Sequence, residues 1–220
     1  MFHVEHCPKD TVNLDLLLES TQNLGCILNP NQLKQLHSYV NELLKWNKKS
    51  NLTGFNSKKD VIGNLIADSL AANSLIESKI SGSIIDVGTG GGIPGIPLKI
   101  VYPSAKLTLV EPNQKKVAFL HHMIGILSLK NTSIEAARME QVRKMDQYHE
   151  SFDWVVIKAL SLKSVLPYVS EVLSDQGRII CWRAETMRDC GELCGFQVLA
   201  EVPYLLPFGF GPRILSVLAR

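Results

Sequence analysis

At 220 residues with 45% hydrophobic content, the chain can bury the core of one ordinary domain without disulfide or metal staples. A net charge of +2 is too small to mark a nucleic-acid binder by overall charge, and no apolar run approaches the roughly 20 residues that cross a bilayer. The five cysteines (Cys7, Cys26, Cys181, Cys190, Cys194) form neither a C-x-x-C pair nor a zinc spacing, and "MFHVEHCPKD" lacks an apolar signal core, so a reduced, metal-free, cytoplasmic protein is expected.

Two parts of different periodicity meet near residue 80, giving an expected helical extension over 1–80 and a second unit over 81–220. Residues 12–28 are a weak helical candidate. A stronger one follows "NPNQ", where Asn29 suits the cap, Pro30 the first helical position and Gln32 the third, and where Leu33, Leu36, Val40, Leu43 and Leu44 line one face. Residues 31–60 hold Lys34, Lys45, Lys48, Lys49, Lys58 and Lys59 against Glu42 and Asp60, which concentrates positive charge on this segment. Val61, Ile62, Leu65, Ile66, Leu70 and Ile76 form a further helical stripe.

From about residue 83, short apolar runs alternate with helical stretches: "SIIDVG", "AKLTLVEP", "TSIEAA", "FDWVVIKA", "GRIICW", "GFQVLAEV" and "ILSVLAR". Runs that are apolar on both faces and separated by helices indicate a mostly parallel sheet covered on both sides. The last two are joined by "PYLLPFGFGP", too short for a crossover helix, so they pair antiparallel. The expected fold is α/β, a seven-stranded doubly wound sheet with an antiparallel C-terminal hairpin.

Between the first of these strands and the next helix stands "DVGTGGGIPGIPL". Glycine after a strand lets the backbone turn tightly and approach a ligand. Asp86-x-Gly88-x-Gly90-x-Gly92 matches S-adenosylmethionine sites, while Gly90-x-Gly92-x-x-Gly95 is formally a dinucleotide fingerprint. Gly90 comes four residues beyond the strand-ending Asp86, late for a dinucleotide turn, and Pro94 offers no N–H where a pyrophosphate would sit. Glu111, at the end of the second strand, suits a ribose in either cofactor class. The register and Pro94 favour S-adenosylmethionine over a nicotinamide dinucleotide.

Several segments then match one family together: "LLKWNKKSNLTG", "IADSL", "IDVGTGGGIPGIPL", "LTLVEPNQKKVAFL", "ARMEQV", "FDWVVIKAL", "GRII" and "PRILSV". The chain resembles the bacterial 16S ribosomal RNA guanine-N7 methyltransferases, the glucose-inhibited division protein B family. Trp46-Asn47 followed by Asn51-Leu52-Thr53, with the Gly-Ile-Pro-Gly-Ile-Pro run, carries the resemblance most specifically. It implies a class I S-adenosylmethionine-dependent methyltransferase with a Rossmann-like sheet, acting on N7 of a guanine in the decoding-region loop, with 16S rRNA or the small ribosomal subunit as partner and the protein a monomer. Its cofactor site would comprise Asp86, Gly88, Gly90, Gly92, Ile93, Glu111, Met139, Glu140 and Lys158. The family's usual Ser-Arg-Ala and Leu-Lys-Gly read Ile157-Lys158-Ala159 and Trp182-Arg183-Ala184 here, so Arg and Lys have exchanged places, and its Arg-His reads Asn64-Leu65.

Guanine N7 carries a lone pair and no hydrogen, so positioning and electrostatics are expected to carry the catalysis rather than an acid–base pair. Candidates for that role are Lys158, Arg183 and Asn51; for the RNA contact, Lys45, Lys48, Lys49, Asn51 and Arg183. Trp46 reads as core, with base stacking the alternative. Asp68 either faces the cofactor's methionine end or caps a neighbouring helix, and His121 and His122 read as ordinary helix residues. A methyltransferase for another acceptor, or a ribosome-binding protein without turnover, would share most of these features.

Overall fold

The computed structural model describes residues 8–75, 80, 82–187 and 193–220; Cys7, Ile76 and Cys190 lie outside them. The N-terminal helices are α1 (Pro8–Gln22), α2 (Pro30–Ser50), α3 (Lys58–Val61) and α4 (Asp68–Leu75). The cap of α2 is the one its sequence specifies. Asn29 Oδ1 accepts from the amides of Asn31 (3.0 Å) and Gln32 (2.9 Å), while Gln32 Oε1 accepts from the Asn29 amide at 2.9 Å. Asn51, in the left-handed region at φ 46°, ends the helix.

The remaining elements are β1 (Ser83–Val87), α5 (Gly95–Val101), β2 (Lys106–Val110), α6 (Gln114–Leu127), β3 (Thr132–Glu135), α7 (Met139–Val142), β4 (Phe152–Lys158), α8 (Leu162–Val169), β5 (Leu173–Arg183), β6 (Gln197–Leu205) and β7 (Pro212–Ala219). They build one seven-stranded sheet of order β3-β2-β1-β4-β5-β7-β6, parallel except for β7, which runs antiparallel to β5 and β6. The doubly wound sheet and its terminal hairpin are therefore as the sequence pattern indicates. Strand order reverses between β1 and β4, and the crevice at their carboxyl ends is where such sheets bind ligands.

Neighbouring strand residues serve opposite cores, as a period of two requires. Ile84, Leu107, Leu109, Val156 and Ile180 pack with Leu36, Val40, Leu43, Ile66 and Leu70 of the N-terminal segment and with Phe119 of α6. Ile85, Val87, Val155, Ile157 and Ile179 pack with Val165, Leu166 and Val169 of α8 on the other face. The helical segment thus shares a continuous core with the sheet. Among the described residues no helix is long and apolar enough to cross a membrane.

The stripe expected over 61–76 is buried at Val61, Ile62, Leu65, Ile66 and Leu70, on a helical stretch whose hydrogen-bond pattern changes midway. A π-helical turn, Ile62–Ala67, separates α3 from α4. Within it the Asn64 carbonyl accepts a bond from Lys158 Nζ at 3.1 Å, a partner supplied by β4 and invisible to helical periodicity. Gly63 is closely approached as well, since a Cβ there would stand 2.5 Å from the Phe210 ring. The weak candidate over 12–28 forms earlier than its pattern suggested, as α1, and β5 starts at Leu173 rather than Gly177.

Tyr39 of α2 is fully buried and donates to the Gly91 carbonyl at 2.5 Å, joining the helical segment to the glycine loop. Tyr39→Phe leaves that carbonyl unpaired in a buried place, and a loss of about 1–3 kcal/mol in unfolding free energy is expected. Urea denaturation of the two proteins measures it; equal midpoints would show that the bond adds nothing.

Candidate active site

The loop after β1 is shaped by its glycines. Gly88, Gly90 and Gly92 adopt φ of 69°, 60° and 89°, the left-handed region closed to most side chains. A Cβ on Gly88 would also stand 2.6 Å from Leu160 Cδ1, whereas one on Gly90 meets nothing nearer than 4.0 Å. Asp86 holds the loop from beneath. Its Oδ2 accepts from the Thr89 hydroxyl (2.6 Å) and the Gly95 amide (2.8 Å), while Oδ1 is buried with no partner. Glu111 Oε2 accepts from the Gly90 amide and Oε1 from the Asn113 amide, both at 2.9 Å.

Above this loop lies a cavity of about 280 Å³ whose lining includes Gly88–Gly91, Ile93, Lys116, Lys158 and Leu160. Its other wall comes from the N-terminal segment, through Leu43, Leu52, Thr53 and Leu65. Asn47 explains how that wall is held. Its amide group donates to the Phe55 carbonyl and Asn56 Oδ1, both at 3.1 Å, and its oxygen accepts from the Thr53 amide at 2.8 Å. The Trp46-Asn47…Asn51-Leu52-Thr53 signature is therefore a device that folds a loop against the glycines.

The Asp68 carboxylate is taken up by neither a helix cap nor the lining of the cavity over the glycines. Its carboxylate pairs with Lys158 Nζ and accepts from the Tyr204 hydroxyl at 2.5 Å, while its carbonyl accepts from Trp182 Nε1 at 2.6 Å. Burial pulls the Lys158 ammonium below its usual value against the opposing pull of Asp68, and burial with the Asp68 charge raises the Tyr204 phenol. Lys158, the cation expected at the cofactor site, has donors committed to Asp68 and to the Asn64 carbonyl.

A second cavity, about 240 Å³, opens beside the first and shares Ala159 and Leu160 with it. Ala159 takes φ 58°, an uncommon conformation for a residue with a Cβ. Leu162, Trp182, Arg183 and Glu185 complete most of that lining, and Arg183 Nε donates to the Glu185 carbonyl at 3.1 Å.

The other expected residues are dispersed. Met139 is packed in the second core and exposed Glu140 follows it; neither lines the cavity over the glycines. Lys45, Lys48, Lys49 and Asn51 are exposed around the end of α2, with Lys45 paired to Glu42 at 3.1 Å. Trp46 packs at the core's rim, its ring centroid 5.6 Å from Phe119 and 5.0 Å from His122, and His122 Nε2 lies 2.7 Å from Glu42 Oε2. Lys116 and Leu160 were missed. A cation in the first turn of α6 opposes the helix dipole, and that unfavourable placement was the available signal for Lys116.

The fold recurs in solved methyltransferases. A SAM-dependent methyltransferase from Aquifex aeolicus aligns with a TM-score of 0.55 at 14% identity, over 80% of this chain and 97% of that one. A ribosomal protein L11 methylase from Lactobacillus delbrueckii subsp. bulgaricus gives 0.53 at 14% identity, over 76% and 80%. Sheet order, a glycine loop at the switch point and the acidic end of β2 define a class I S-adenosylmethionine-dependent methyltransferase. Among sequence relatives, a ribosomal RNA small subunit methyltransferase G from Roseiflexus sp. (strain RS-1) is 33% identical, with 94% of this chain and 91% of that protein covered. Another, from Alkaliphilus metalliredigens, is 34% identical, over 93% and 89%. The family model for GidB, rRNA small subunit methyltransferase G, matches residues 32–194, and the chain belongs to that family.

Burial pushes the Asp86 carboxyl up to about 7, outweighing the Thr89 and Gly95 hydrogen bonds that lower it. The unfolded carboxyl titrates near 3.8, so the folded state holds an extra proton in between and loses stability as pH rises from about 4 to about 7. Asp86→Asn stays neutral throughout. Its stability relative to the unsubstituted protein should therefore rise between pH 4 and pH 8, as read by urea unfolding at both values. A difference that is constant with pH would show that Asp86 does not titrate in this window.

Proposed function

We propose that this rRNA methyltransferase transfers a methyl group from S-adenosylmethionine to N7 of a guanine in the decoding-region loop of 16S rRNA, acting in the cytoplasm as a monomer on the rRNA or the small subunit. Family membership across most of the chain carries the reading, and an intact glycine loop lining a cavity that adjoins a second one supports it.

The residues present suit the methyl donor. The loop Gly88–Gly92 would receive it at backbone contact distance, and Glu111, whose oxygens each accept one amide bond, retains lone pairs for ribose hydroxyls. Lys116 offers an ammonium on the same cavity for a carboxylate, with Ile93 and Leu160 as apolar walls. When bound, S-adenosylmethionine supplies the electrophilic methyl.

The protein's own contribution is then positional. An acceptor nitrogen with a lone pair and no hydrogen requires no proton removal at the moment of attack, so the loop and cavity walls need only hold the reactants in line. Alignment of this sort is worth about 7–11 kcal/mol in well-oriented intramolecular reactions. Lys45, Lys48 and Lys49 would serve the RNA phosphates from the end of α2, with affinity falling as salt rises.

Radiolabelled methyl transfer to small ribosomal subunits lacking N7-methylguanine, followed by mapping of the labelled base, tests the reading. One labelled N7-methylguanine in the decoding-region loop is expected, and label in another nucleoside or position would refute it. Glu111→Ala should raise the Kd for S-adenosylmethionine by at least about tenfold, the equivalent of one hydrogen bond to a charged group, as measured by calorimetry. An unchanged Kd would remove Glu111 from the cofactor site.

A further inference from the structure

We infer that the second cavity is the seat of the acceptor base and that Glu185 and Arg183 read its guanine Watson–Crick edge, an inference that rests on the methyltransferase reading above. Ala159 and Leu160 line both cavities, so a group held in one lies beside a group held in the other along that shared edge. Their order follows the sheet. The glycine loop leaves β1, Leu160 follows β4 and Arg183 ends β5, and these are adjacent strands. Two strand spacings amount to roughly 10 Å, room for one base beside the transferred group. The volume, about 240 Å³, has room for a single flat base inserted against buried Trp182 and Leu162.

The polar groups distinguish among bases. Guanine presents two adjacent donors, N1–H and the N2 amino group, next to the O6 acceptor. A carboxylate only accepts and a guanidinium only donates, so Glu185 and Arg183 together complement donor, donor and acceptor in that order. Adenine has an acceptor at N1 and no amino group at C2, which leaves Glu185 unsatisfied. Arg183 Nε is already used by the Glu185 carbonyl, which orders the guanidinium while its terminal nitrogens remain for O6. Binding by this edge also keeps donors away from N7, whose lone pair must stay free to attack. Glu185 is exposed at the cavity mouth and Arg183 half-buried, so both are accessible to an unstacked base of a single-stranded loop.

The test compares small subunits carrying guanine or inosine at the target position, because inosine lacks only the N2 amino group. The unsubstituted protein should favour guanine in kcat/KM by about tenfold or more, the worth of one charge-assisted hydrogen bond. Glu185→Ala should lower kcat/KM on guanine by about ten- to a hundredfold and erase the preference, while its Kd for S-adenosylmethionine stays unchanged. Glu185→Gln, which keeps one acceptor, should fall between. If Glu185→Ala retains the full preference, or weakens cofactor binding as much as turnover, the base site lies elsewhere. No transfer to guanine subunits by the unsubstituted protein would overturn the proposed function and this inference together; normal transfer with an unaltered preference in the variant overturns this inference alone.

Discussion

One buried carboxylate joins the parts of this molecule. Asp68, at the start of α4, is bonded from β4 by Lys158, from β5 by Trp182 and from β6 by Tyr204, and so fastens the helical segment to three strands. Taking two charges out of water costs several kcal/mol per ion, and the Coulomb attraction offsets that only where remaining lone pairs are also satisfied. Here they are: Tyr204 takes the second carboxylate oxygen and the Asn64 carbonyl takes another ammonium proton. Such an arrangement tolerates only one placement of α4 against the sheet, which makes it a device for geometry more than for stability.

That geometry carries outward to the cavities. The placement of the π-helical turn positions Leu65 opposite the glycine loop, and Asn47 does the same for Leu52 and Thr53 from the end of α2. The cavity over the glycines is consequently a shared structure. Its floor comes from the β1–α5 loop and its roof from residues whose helices are otherwise occupied with the core. On the far side, the left-handed Ala159 turns the chain so that Leu160 stands close over Gly88 and lines both cavities.

Lys158 and Arg183 take their meaning from this arrangement. A lysine at the end of β4 is a compact point charge, suited to a monodentate pair with Asp68 inside the protein. An arginine at the end of β5 presents a planar fork beside an open cavity. The residue that reads as cationic machinery in one dimension is, in three, partly an internal fastener. The cation left facing solvent is on the next strand.

Much was readable in the residues themselves. Alternating apolar runs announced seven strands, "NPNQ" announced the capping box of α2, and Asp86-x-Gly88-x-Gly90-x-Gly92 announced a loop with three left-handed residues. Each depends on interactions within a few positions or on the conformational freedom of one residue, so neighbouring letters suffice. The π-helical turn, the Asp68 hub and the shared wall at Leu160 were decided by the tertiary structure. Lys158, Trp182 and Tyr204 stand 90, 114 and 136 residues from Asp68. Buried polar groups take whichever partners the folded core brings within reach, and which those are is set only when sheet and helices close on one another.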